Sequence, residues 1–106
     1  MTRKLLVLVV VALAVLAGAP AMAQEPANVN VWIAFTDAGR LGWAQARAAE
    51  FNELFPQYNV SVEGYANYEE LFSATALAAE QGSLPAVVQY FEVATQDARD
   101  SGYFTS

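Results

Sequence analysis

The chain has 106 residues and carries 11 acidic against 5 basic side chains, with no His and no Cys. No His-based triad, imidazole base, imidazole or thiolate metal site, or disulfide can therefore be built. The net charge of −6 disfavours nucleic acid and anionic membrane as partners.

In chain order, Arg3 and Lys4 precede an unbroken apolar run over residues 5–17. Gly18 and Pro20 interrupt that run, and Ala21-Met22-Ala23 offers small residues where a signal peptidase reads. This is the three-part layout of a secretory signal peptide over residues 1–23. The apolar run is shorter than the ~18–20 residues that span a bilayer, which argues against a transmembrane helix. Cleavage would leave residues 24–106 as one small domain. Its three arginines, Arg40, Arg47 and Arg99, face all 11 acids, a net charge of −8. With no Cys to carry a lipid, the exported chain is expected to be free of a membrane anchor, in the periplasm of a cell with an outer membrane.

Residues 28–35 alternate, with Val29, Val31, Ile33 and Phe35 on one face, and predict a strand. A turn-like loop over 36–39 follows. Leu41, Ala44, Ala48, Phe51 and Phe55 recur at helical spacing and predict a helix over 41–55 that lies on a sheet and is ended by Pro56. Residues 59–65 predict a second strand, in an outer position because Ser61 and Glu63 make one face polar. Asn67 can cap a second helix, with Glu70 bonding back to the cap and both Glu69 and Glu70 favouring the helix dipole. Leu71, Ala74, Thr75 and Ala78 form its inward stripe, and Gly82 stops it. The run over 84–91 predicts a third strand buried on both faces. Thr95 can cap a last helix over 96–100, stopped near Gly102.

The order β-α-β-α-β-α predicts an α/β fold with a parallel sheet. Three loops then share the carboxyl edge of the sheet, over 36–40, 65–68 and 92–95, where open α/β sheets bind ligands. Tyr68 and Glu92 are thereby expected in one cleft. A tyrosine offers a flat ring and a hydroxyl to a sugar or polyol. A glutamate accepts charge-assisted hydrogen bonds from vicinal hydroxyls. Phe35, Asp37 and Tyr65 are secondary ligand candidates. Plainer roles stand beside these: Tyr68 as a ring next to a cap, Glu92 as a solvated side chain, Asp37 as a turn former. No cofactor or metal is expected.

The segment Phe51-Asn52-Glu53-Leu54-Phe55-Pro56 with Tyr58 resembles the end of the first helix in family 1 extracellular solute-binding proteins of ABC transporters. Asn67-Tyr68-Glu69 and the run from Leu84 to Val93 are most similar to the glycerol-3-phosphate-binding branch of that family. The likeness covers the chain from residue 24 onward, but only the beginning of a two-lobed fold. It implies a receptor that captures a polyol, sugar or glycerophosphate and delivers it to the membrane permease. It also implies ligand contacts at Tyr68 and Glu92. Two departures bear on the ligand: residues 31–35 lack the family's usual Trp-His or Trp-Ser pair, and Ala66 stands where a glycine is expected. The aromatic load and the ending at Ser106 fit a first lobe whose remaining contacts lie elsewhere. Two alternatives are a secreted α/β hydrolase with Glu92 and Asp37 as acid and base, and a truncated lobe that binds nothing alone.

Overall fold

The computed structural model describes residues 24–105, so the expected signal peptide lies outside the described residues. Strand β1 (Ala27–Ile33) leads into helix α1 (Arg40–Leu54), then β2 (Tyr58–Gly64), α2 (Tyr68–Glu80) and β3 (Val87–Val88). A 3-10 turn (Glu92–Ala94) feeds α3 (Thr95–Ser101). The sheet is parallel with order β2-β1-β3, so the chain is α/β and its second strand is at an edge, as the polar face of that strand predicts.

The β1–β2 register sorts the side chains. Val29, Val31 and Ile33 stand beside Val60, Val62 and Gly64. On the opposite face, Asn28, Asn30 and Trp32 stand beside Asn59, Ser61 and Glu63. The polar row is bonded across the strands: Asn59 Nδ2 donates to Asn28 Oδ1 at 2.9 Å, and Ser61 Oγ donates to Asn30 Oδ1 at 2.9 Å. A slip of one residue would place valines against asparagines on both faces, which fixes the pairing.

An edge strand exposes backbone groups that need a partner. Here α1 supplies it. Asn52 Oδ1 accepts from Val60 N–H at 2.7 Å, and its Nδ2 donates to Val60 C=O at 2.9 Å. Gln45 Nε2 donates to Val62 C=O at 3.2 Å. Helix α1 therefore grips the outer edge of β2, and this corrects the expected inward stripe. Of Leu41, Ala44, Ala48, Phe51 and Phe55, only Ala48 is buried. Phe51 and Phe55 remain partly exposed and pack on each other, with ring centroids 4.7 Å apart, and Phe51 packs on Tyr58. A helix engaged at the edge cannot bury a full stripe on the sheet face.

Helix α2 begins as its sequence predicts. Asn67 Oδ1 accepts from Glu70 N–H at 2.9 Å. The return bond from the Glu70 carboxylate does not form among the described residues. At the other end Gly82 adopts φ +66°, the left-handed conformation that glycine takes without a Cβ clash. Ser83 N–H then reaches Ala78 C=O at 2.8 Å and Gly82 N–H reaches Ala79 C=O at 3.1 Å, a paired closure of the last helical carbonyls. Leu71, Thr75 and Ala78 form the buried face. The Thr75 hydroxyl is satisfied within the helix by Leu71 C=O at 2.8 Å.

The third strand departs most from expectation. Instead of a run over 84–91 buried on both faces, only Val87–Val88 form strand. Leu84 and Val87 are exposed. Strand β3 is the outermost strand on its side, and Pro85 has no N–H to donate, which suits an edge but not a central strand. Its bonds to β1 are few: Ala86 N–H donates to Asn30 C=O and Gln89 N–H to Trp32 C=O, both at 2.9 Å. Thr95 is likewise the first residue of α3 rather than its cap, because the 3-10 turn already carries the chain into helical geometry.

Gly64, at the end of β2, lies under the chain leaving β1. A Cβ there would collide with the Phe35 carbonyl oxygen and stand 2.8 Å from Leu41 Cδ2. Gly64→Ala is therefore expected to destabilise the fold through displacement of backbone. Asn52→Ala removes two bonds to the β2 edge and is expected to cost about 1–2 kcal/mol. Urea unfolding followed by circular dichroism checks both: each midpoint should fall, with the slope unchanged for Asn52→Ala.

Candidate functional site at the carboxyl edge of the sheet

The chain leaves β1 toward β2 on one side, then returns past β1 to β3 on the other. That reversal opens a crevice at the carboxyl ends of β1 and β3. Gln89 occupies it. Its Oε1 accepts from Ala34 N–H, just past β1, at 2.9 Å, and its Nε2 donates to the Tyr68 hydroxyl, in the first turn of α2, at 3.1 Å. Three elements thus meet on one amide side chain. All of these groups are buried or half-buried, so each bond is worth more than a solvated one would be.

Tyr68 is held on its ring face as well. It stacks on Phe91, with centroids 4.6 Å apart and planes 28° off parallel, and touches Phe72 at 5.9 Å. Phe72 continues the cluster by stacking on Tyr90 at 4.3 Å and Phe91 at 5.6 Å. Because Gln89 donates to it, the Tyr68 hydroxyl keeps its own proton to offer to an acceptor. Glu92 follows Phe91 directly and opens the 3-10 turn with its side chain exposed. The structure thus brings residue 92 to the same edge as Tyr68, one residue beyond the ring contact, and no hydrogen bond joins the two side chains.

The secondary candidates divide. Phe35 is half-buried and carries the Arg40 guanidinium 3.8 Å above its ring. Asp37 binds the same arginine twice: Oδ1 accepts from Arg40 N–H at 2.9 Å and Oδ2 from Arg40 Nε at 2.7 Å. These bonds, first to the backbone and then to the side chain, hold the Asp37 carboxyl below the usual aspartate range. Asp37 shapes the turn into α1 and is a weakened base, which counts against it as the acid–base partner of Glu92. Tyr65 packs on Trp32 at 5.1 Å, and partial burial, then the Glu63 charge, push its hydroxyl up. It lines a separate shallow depression with Asn67, Glu69, Glu70 and Ser73.

Gln89 also reaches an open concavity of about 350 Å³, walled by Ile33, Phe35, Arg40, Trp43 and Ala44. Of its lining, only Phe35 stands out from the sequence as a site candidate. Trp43 lies off the buried stripe of α1 and is 65% exposed; an aromatic on the outer face of a helix was the available signal. Among the described residues, no group of three or more acidic side chains could hold a metal ion. Comparisons of the chain with protein-family models, with curated proteins and with solved structures return no match.

Gln89→Leu keeps the approximate volume but leaves the part-buried Ala34 N–H unpaired. It is expected to cost about 1–3 kcal/mol, read as a lower urea midpoint. Asp37 has a folded pKa below its unfolded value, so its contribution is present above the unfolded value and is lost as pH falls through the folded one. A carboxyl-carbon NMR titration should place the Asp37 midpoint below 3.8, and Arg40→Gln should move it back up.

Proposed function

We propose that the chain is the amino-terminal part of a periplasmic solute receptor for an ABC importer, forming the first segment of one lobe of a two-lobed binding protein. It captures a glycerophosphate, a glycerophosphodiester or a sugar and delivers it to the permease without chemical change. The observation that supports this reading is the gathering of Tyr68, Gln89 and the segment 91–92 at the carboxyl edge, where the strand order reverses. Receptors of this architecture work by hinge closure of two lobes around the ligand. The described residues would then form one wall of the cleft.

The residue chemistry agrees with such a ligand. The Tyr68 hydroxyl offers a donor on an immobilised ring. Glu92, with a free carboxylate at the rim, can accept from two adjacent hydroxyls. One wall supplies only part of the contacts, so the chain by itself should bind weakly, because the loss of ligand freedom is not repaid in full.

Titration calorimetry with sn-glycerol 3-phosphate, glycerophosphocholine and maltose tests the proposal. One of the three should bind saturably, and both Tyr68→Ala and Glu92→Ala should weaken it at least tenfold with unchanged circular dichroism. Absence of binding by all three, or hydrolysis of glycerophosphocholine by the purified protein, contradicts it.

A further inference from the structure

We propose that the concavity between the end of β1 and the first turns of α1 is a subsite for an organic anion: Arg40 receives a phosphate or carboxylate, while Trp43 and Phe35 cover the body of the same molecule. The inference rests on the receptor reading and narrows its ligand to the anionic class.

Arg40 has its Nε engaged by Asp37, which leaves its two terminal NH2 groups without a hydrogen bond among the described residues. Gln89 has Oε1 on Ala34 N–H and one amide hydrogen on the Tyr68 hydroxyl, which leaves a second N–H. The remaining surface is apolar: Ile33, Phe35, Trp43 and Ala44. Such a wall offers chiefly donors and hydrocarbon. It suits a ligand rich in acceptors more than a neutral sugar, whose hydroxyls must also donate. The one side-chain acceptor of the lining, Gln89 Oε1, is engaged by Ala34 N–H, and each oxygen of Asp37, beside Arg40, already accepts from that arginine.

Charge points the same way. On an acidic chain, an anion needs a specific cation to approach. Arg40 and Arg47 each pair with an acid, Asp37 at 2.7 Å and Glu50 at 2.6 Å, and Arg99 lies on α3. Arg40 alone of the three lines this concavity. Its guanidinium is also held: Asp37 fixes one edge and the Phe35 ring supports one face. Its planar, two-pronged donor geometry can meet two oxygens of a phosphate or carboxylate at once. The volume, about 350 Å³, falls at the small end of ligand pockets, enough for a glycerophosphate or a phenyl phosphate. Trp43, 65% exposed, lines it.

The test uses the full chain in a Trp32→Phe background, so that fluorescence reports Trp43. Two matched pairs are titrated: phenyl phosphate against benzyl alcohol, and sn-glycerol 3-phosphate against glycerol. The phosphate of each pair should quench Trp43 saturably and the neutral partner should not. Arg40→Gln should weaken the phosphates at least tenfold and remove most of the salt dependence, with unchanged circular dichroism. Equal response to charged and neutral partners, or phosphate affinity unchanged within twofold in Arg40→Gln, overturns the subsite. The two readings fail separately. If sn-glycerol 3-phosphate binding depends on Glu92 but not on Arg40, the receptor stands and the anion subsite falls. If phenyl phosphate depends on Arg40 while calorimetry finds none of the three receptor ligands binding, the subsite stands and the assigned ligands fall.

Discussion

A single amide side chain holds the carboxyl edge of the sheet together. Gln89 accepts from the chain leaving β1, donates to the first turn of α2, and through its own N–H closes the pairing of β3 with β1. Strand β3 is only two residues long and could not fix the following segment by ladder bonds alone. The side-chain bonds of Gln89 supply what the short strand lacks. They also set the height of Tyr68, and Tyr68 in turn seats Phe91 by ring stacking. The position of residue 92 at the rim therefore follows from the Gln89 amide by two short steps.

The two edges of the sheet are managed differently, and the difference orients the molecule. At β2, Asn52 imitates a neighbouring strand by bonding both backbone groups of Val60. That edge is closed by the chain itself. At β3 Val87 is exposed, Val88 is half-buried and the pairing is brief. The aromatic cluster of Tyr68, Phe72, Tyr90 and Phe91 gathers on this second side, next to the crevice of the strand reversal. Rigid support on one side and an open, ring-lined edge on the other is the arrangement a ligand wall requires: fixed side chains beside accessible surface.

Much of the fold was legible because local chemistry and tertiary structure agree. Alternation at Val29, Val31 and Ile33, the Asn67 cap, the Gly82 stop and the polar outer face of β2 each have a local cause, and each appears in place. The failures share a cause of another kind. An apolar run does not state whether both of its faces meet a partner, so the segment 84–91 read as a central strand although it occupies an edge. The stripe of α1 was misjudged because Asn52 and Gln45 draw the helix to the strand edge, and no periodicity of apolar residues encodes that. The placement of Tyr68 and Glu92 at one edge was legible from topology, since loops at the carboxyl ends of parallel strands share a rim. Gln89 was not: a glutamine inside an apolar run carries no mark of its three partners, which lie 21 to 57 residues away in sequence. Arg40 and Trp43 were hidden for the related reason that a concavity is made by neighbours distant in the chain.

On the receptor reading proposed above, a small hydroxylated or anionic ligand is held at the carboxyl edge organised by Gln89. Amide NMR of the isotope-labelled chain, with and without sn-glycerol 3-phosphate, tests it most directly. Shifts are expected to be confined to Ala34, Arg40, Tyr68, Phe91, Glu92 and both the backbone and side-chain amides of Gln89. Shifts centred on the opposite edge, at Ala27 and Tyr58, or no shifts at saturating ligand, would contradict it.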